Sequence, residues 1–294
     1  LCAQARWGDE GRFSRAIKKL EKASNLFIYA DDAYSWLLSR LVAEMANSLN
    51  ERLLRNYLAQ LADQSSSEGK KALELYARNS YLDRRSILWP SQIVGINHLQ
   101  SDESFALCTP TGSGKTTVAE IAILLSLFKD ALVSSDHPSA ISPLAMYLVP
   151  SKALAAEAES KLSRVLQRVS SHEDPVTVTG LYGGTDWGPT DAWLTREGKT
   201  VLICTYEKAE ALIRFLGPLF LDRLSVVVID EAHAVDFNNR YEELYHGESR
   251  ALRLESLGTR LFSYIAQKNV RVVALSAVAG GINNTLASLS LIHI

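Results

Sequence analysis

Along the first 80 residues apolar side chains recur at helical spacing. Leu37, Leu38, Leu41 and Met45, then Leu53, Leu54, Tyr57, Leu58 and Leu61, stand three and four apart, which predicts two or three amphipathic helices over residues 12–64. The polar run DQSSSEG at 63–69 predicts a linker or helix–helix turn, and another helix is expected over 70–80. From residue 86 the period changes. Apolar runs of strand length near 104–108, 144–149, 176–180, 200–204, 225–229 and 271–275 alternate with helical patterns. That alternation predicts a parallel sheet wrapped on both faces. The expected organisation is an N-terminal helical domain, residues 1–85, followed by an α/β domain, residues 86–294. SSDHPSAISP at 134–143 reads as a surface loop.

The first strand of the α/β region runs into CTPTGSGKTTVAE, residues 108–120. Gly112 and Gly114 open backbone conformations barred to other residues, and Val118, Ile121, Ala122 and Leu125 then recur at helical spacing. Backbone N–H groups in such a strand–loop–helix unit converge where the helix dipole favours negative charge, so the loop is a phosphate site. Lys115 adds a cation for β and γ phosphates, and the Thr116 hydroxyl suits a Mg2+ that bridges them. The ligand implied is a nucleoside triphosphate held by Thr109, Pro110, Thr111, Gly112, Ser113, Gly114, Lys115, Thr116 and Thr117. Thr109 stands where the phosphate-loop pattern has its first glycine.

LSVVVIDEAHAV, residues 224–235, supplies the acidic counterpart. Its β-branched run Val226–Ile229 suits a central parallel strand, and two carboxylates follow at the C-terminal end, where ligands of open α/β sheets bind. Asp230 is placed to hold the Mg2+ shell, and Glu231 to orient or deprotonate an attacking water.

Composition narrows the partners. Hydrophobic residues make up 47% and charged residues 22% of 294, as in globular proteins, and the net charge is −2. Residues 1–86 carry 14 basic and 11 acidic residues, and the remainder 17 and 22, so neither block is a basic arm. Any nucleic-acid contact must come from a local face, helix N-termini and backbone amides. Cys2, Cys108 and Cys204 show no metal-binding spacing, and Cys108 and Cys204, both in apolar runs, read as free buried thiols of a reducing compartment, for which a cytoplasmic location is expected. No apolar run approaches the roughly 20 residues that span a bilayer.

TPTGSGKT, DEAH and LSAVAG, in this order, resemble motifs I, II and III of superfamily 2 DExH-box helicases, in which a small residue commonly replaces the first loop glycine. LWPSQ (88–92) is similar to the Q-motif, VPSKALAAE (149–157) to motif Ia, YGG (182–184) to the glycine doublet and TYEKAEALIR (205–214) to motif Ib, a combination most like the Ski-like branch. The resemblance implies a RecA-like P-loop NTPase fold over about 86–280 and ATP as the nucleotide, with adenine read by Gln92. It implies that His233 links the ATP site to motif III, that Ser276 couples hydrolysis to strand movement, and that Ser151, Lys152, Gly183, Gly184 and Thr205 grip a single nucleic-acid strand. DNA is favoured slightly over RNA, and a nuclease or other protein subunit fits as partner. The family closes two RecA-like domains over ATP, the second supplying an arginine finger. The chain thus reads as the front part of a longer helicase, since Arg271, the arginine nearest motif III, begins its strand at the far edge from the nucleotide. Two departures stand out. Val278 replaces the usual threonine of motif III, and Tyr206 replaces the proline or serine of motif Ib, where it either stacks on a base or packs. The alternative to a motor is an ATP-binding scaffold or switch subunit of a nucleic-acid-processing or anti-phage complex.

Overall fold

The computed structural model describes residues 1–63, 65–129, 142–171, 174–183, 198–217, 221–235, 250–265 and 270–277. The loop expected at 134–143 lies almost wholly outside them, as do Gly184 and Val278. Two compact units divide the chain, Leu1–Ile93 and Val94–Ile294, and the division falls inside a helix.

The first unit is helical: α1 (Cys2–Trp7), α2 (Glu10–Tyr29), α3 (Ala33–Glu51), α4 (Leu54–Asp63) and α5 (Ser67–Leu82), with α6 (Pro90–His98) starting in it. Side chains that accept hydrogen bonds from the first turn set three of the starts. Asp9 takes the N–H of Arg12 at 2.9 Å, Asp32 that of Ser35 at 3.0 Å and Ser66 that of Gly69 at 3.0 Å. The Ser66 cap begins α5 inside the polar run expected to be a linker or helix–helix turn. Leu54, Leu58 and Leu61 of α4 and Leu73, Tyr76 and Ala77 of α5 are buried, and α4 packs on α5. The stripe on α3 behaves otherwise. Leu37, Leu38 and Leu41 are each 50% exposed, while the buried positions of this helix are the small Ser39 and Ala43.

The second unit holds six strands: β1 (Phe105–Cys108), β2 (Leu144–Val149), β3 (Thr177–Leu181), β4 (Thr200–Thr205), β5 (Leu224–Ile229) and β6 (Arg271–Ser276). All pair in parallel, in the order β1-β6-β5-β2-β4-β3. Each lies within about a residue of its expected position. β2 and β4 are buried at every residue, as strands covered on both faces must be. The covering helices are α7 (Lys115–Leu127), α8 (Lys152–Gln167), α9 (Tyr206–Leu216) and α10 (Arg250–Ile265). α7 is enclosed on all sides, with Val118, Ile121, Ala122, Ile123 and Leu124 at most 1% exposed. Register pairs Cys108 with Ser276, Ala274 with Ile229, and Leu148 with both Ile229 and Cys204. Every strand therefore ends at one edge of the sheet.

Gly95 brings α6 against α7 and β1. A Cβ there would lie 2.9 Å from a methyl of Val118 and 3.1 Å from one of Leu107. Alanine in place of a helical glycine gains up to about 1 kcal/mol in propensity, but overpacking a filled interior costs about 1–3 kcal/mol. Gly95→Ala is therefore expected to lower the thermal unfolding midpoint by a few degrees, measured by calorimetry, and an unchanged or raised midpoint contradicts this packing.

Candidate active site

The phosphate loop leaves β1 at Cys108 and is tied at once to β6, because Thr109 N–H donates to Ser276 O at 3.1 Å. Gly112 and Gly114 have φ of +80° and +79°, and Gly114 caps the start of α7. Among the described residues nothing stands within 4 Å of where a Gly112 Cβ would be, and the positive φ is what requires glycine there. Thr109 turns its departure from the pattern to use: its Oγ1 lies 2.6 Å from Ser113 Oγ, bracing the loop, and Ser113 N–H donates to Pro110 O at 3.2 Å. Lys115 folds back over the loop and donates from Nζ to Thr109 O at 2.9 Å and Pro110 O at 3.4 Å. Thr117 is buried and its N–H reaches Gly114 O at 3.0 Å. Among the described residues no backbone acceptor takes the N–H groups of Lys115 and Thr116, as expected at a helix start.

Two strands away, β5 ends in Asp230 and Glu231. Asp230 N–H donates to Leu148 O at 2.8 Å, and both its carboxylate oxygens are engaged: Oδ1 accepts from Glu231 N–H at 3.0 Å, Oδ2 from the Tyr147 hydroxyl at 2.7 Å. Glu231 has φ +51°, in the left-handed region. Its Oε2 lies 3.1 Å from Nδ1 of His233, although the pair lacks hydrogen-bond angles. His233 sits on the 3-10 turn Ala232–Val235, which packs against β6. Tyr206 is 1% exposed and donates from its hydroxyl to Asp230 O at 2.5 Å. Burial decides between the two readings of Tyr206 in favour of packing. Burial first, and the neighbouring carboxylates second, push the Tyr147 and Tyr206 phenols above their ordinary value, so both remain protonated donors.

Between loop and carboxylates lies Ser276, 1% exposed, whose Oγ donates to Ala277 O at 3.0 Å. The other half of the same edge carries the remaining candidates. Ser151 caps α8, accepting from Leu154 N–H at 3.3 Å, and Lys152 beside it is exposed. Thr205 ends β4 and is 5% exposed, and Gly183 follows β3. Arg271 lies at the opposite edge, where it donates to Ser101 O and pairs with Asp102 at 3.3 Å. Gln92 belongs to the first unit; its Oε1 accepts from Trp89 N–H at 2.9 Å, which with Pro90 makes a helix start of capping-box type for α6. Tyr147 was not among the sequence candidates. Its signal is a lone hydroxyl inside the otherwise aliphatic strand LAMYLV, since a buried tyrosine needs a partner.

The model of the DEAD/DEAH box helicases matches residues 89–285. The chain belongs to this family. It is 34% identical over 186 residues to Hachiman protein HamB of Bacillus cereus, covering 63% of this chain and 14% of that protein. Against ATP-dependent DNA helicase Hel308 of Methanocella arvoryzae it is 33% identical over 196 residues, 66% of this chain and 22% of that one. Among solved structures, DUF1998 helicase MrfA bound to DNA and AMPPNP superposes with a TM-score of 0.54 at 18% identity, over 77% of this chain and 28% of the other. That likeness is one of fold, and the sheet is RecA-like. The chain spans 14% and 22% of the lengths of these two relatives. No helix among the described residues is long and apolar enough to cross a membrane.

Proposed function

We propose that this chain carries the Mg-ATP site of a nucleic-acid-dependent ATPase that moves along a single strand, together with one half of the strand's track. The observation that carries this is the order of groups along one sheet edge. Phosphate loop, Ser276 and the Asp230–Glu231 pair end the adjacent strands β1, β6 and β5, and the segments bearing Ser151–Lys152, Thr205 and Gly183 end β2, β4 and β3.

The residues fit a magnesium nucleotide. Two left-handed glycines shape the loop, among the described residues no backbone acceptor takes the N–H groups of Lys115 and Thr116 at the helix start, and Asp230 follows a strand on the same sheet edge. Lys115 would exchange its two carbonyl partners for β and γ phosphate oxygens. Thr116 and Asp230 would hold Mg2+, which supplies neutralisation of charge building on the transferring phosphoryl group. Glu231 would align a water with the γ phosphate and take its proton. Gln92 is assigned to adenine, although its amide oxygen already caps α6. His233 and Ser276 would carry the state of the site to β6.

In the cycle that the family resemblance implies, a second RecA-like domain closes over the nucleotide and supplies an arginine, and a strand lying across both domains shifts as the cleft reopens. DNA is the preferred strand in this reading, which draws on Hel308 being a DNA helicase and on MrfA binding DNA. A cytoplasmic location agrees with the free thiols of Cys108 and Cys204. The second reading, a nucleotide-gated subunit of a nucleic-acid-processing or anti-phage complex with a nuclease partner, draws on Val278 in place of the motif III threonine.

ATP hydrolysis by the intact protein, measured alone and with single-stranded DNA, single-stranded RNA and duplex DNA, separates these. The motor predicts strong stimulation by single-stranded DNA and less by RNA. Binding of ATP with turnover indifferent to every nucleic acid leaves the gated subunit, and failure to bind ATP removes both.

A further inference from the structure

Asp230 and Glu231 are held from beneath by two buried hydroxyls that arrive on different elements. Tyr147 comes from the middle of β2, 83 residues away in sequence, and donates to the Asp230 carboxylate; Tyr206 opens α9, 24 residues away, and donates to the Asp230 carbonyl. The Tyr206 oxygen also lies 3.5 Å from the carbonyl of Glu231. Both rings are 1% exposed, so neither hydroxyl has water as an alternative partner. Between the two carbonyls that Tyr206 faces, Glu231 keeps a φ of +51°, a conformation that a non-glycine residue retains only where its surroundings over-determine it.

We propose that Tyr147 and Tyr206 are positioning residues with separate tasks: Tyr206 holds the strained turn that aims the Glu231 carboxylate, and Tyr147 fixes the orientation in which the Asp230 carboxylate meets a metal. The inference rests on the Mg-ATP reading of the site. With Oδ1 bound to Glu231 N–H and Oδ2 to the Tyr147 hydroxyl, the Asp230 carboxylate has one orientation, and its remaining lone pairs point in defined directions. Without the Tyr147 hydroxyl only the bond from Glu231 N–H to Oδ1 restrains its last torsion. Without the Tyr206 hydroxyl the carbonyls on either side of Glu231 lose their shared donor, and the turn can relax out of the left-handed region, taking the side chain with it. A group that aims the water-activating residue acts on hydrolysis alone, whereas one that orients a metal ligand acts already on binding.

The test is a pair of phenylalanine variants in the intact protein, each preserving ring volume. Outer-shell partners of metal sites typically contribute about 10–100-fold in affinity or activity. Tyr206→Phe is expected to lower the single-turnover hydrolysis rate by about tenfold or more, with the affinity for a fluorescent ATP analogue unchanged. Tyr147→Phe is expected to raise the Mn2+ concentration for half-saturation, read by electron paramagnetic resonance in the presence of a non-hydrolysable ATP analogue, by about tenfold. Thermal unfolding of both variants reports any loss of core packing. The proposal is overturned if Tyr206→Phe hydrolyses ATP like the wild type or loses nucleotide affinity in step with rate, or if Tyr147→Phe binds Mn2+ normally. It is also overturned if each variant loses activity only in proportion to unfolded protein. A wild type that binds Mn2+ and nucleotide without hydrolysing leaves the Tyr147 arm decisive, and one that binds neither removes both the site reading and the inference.

Discussion

Glu231→Gln is expected to abolish steady-state ATP turnover, a loss of about 10²–10⁴-fold for removal of a general base, while ATP still binds. Glutamine has the same shape and leaves the Glu231 N–H bond to Asp230 Oδ1 in place, so the turn survives and only the negative charge is lost. In the free protein that charge faces His233 Nδ1 at 3.1 Å. The phosphate loop lies on β1 and the glutamate after β5, with β6 between them, so a bound nucleotide's ground-state contacts come mainly from the loop and survive the change. The split between unchanged affinity and lost turnover is the signature of an interaction made only in the transition state. Nucleotide titration and phosphate release on the intact protein, with single-stranded nucleic acid present, measure it. Wild-type turnover would remove Glu231 as the base.

Lys115→Ala acts one step earlier. The ammonium, held by Thr109 O at 2.9 Å and Pro110 O at 3.4 Å, must leave both carbonyls to meet phosphate, and part of its attraction for the nucleotide is spent there. Two neutral acceptors are nonetheless a poor match for the charge on a triphosphate, and hydrogen bonds to charged groups are worth about 1.5–3 kcal/mol each. Net loss on truncation should therefore be about 10–100-fold in ATP affinity, with turnover falling further because the same cation stabilises charge on the γ phosphoryl group. Equilibrium binding of a fluorescent nucleotide to wild type and variant decides it. Affinity within the error of the wild type would mean that the lysine stays on its loop carbonyls when nucleotide binds.

The six strands, the glycine loop and the two carboxylates could be read from the chain because each depends on residues next to one another. A β-branched run bounded by turn residues is a buried strand in almost any context, and a glycine pair before an apolar helix imposes its own backbone conformation. Neighbouring residues do not encode which strands lie side by side. The insertion of β6 between β1 and β5, which puts Ser276 between loop and acid and ties Thr109 to it, follows from pairings between segments far apart in the chain, Phe105 with Val273 and Val226 with Arg271. Tyr147 and Tyr206 show the same limit. As residues they are an odd tyrosine in an aliphatic strand and a replaced motif position, and they gain a role because the sheet order brings β2 beside β5 and β4 beside β2. Gln92 and α3 mark a further boundary. The spacing of Leu37, Leu38 and Leu41 is enough to make a helix with an apolar side, but burial needs a neighbour of matching shape, and in α3, which packs on α2, the buried residues are Ser39 and Ala43 instead. Periodicity and backbone preference are local, and they made the elements legible. Burial, register and hydroxyl partners are sums over distant parts of the chain, and they exist only once it has folded.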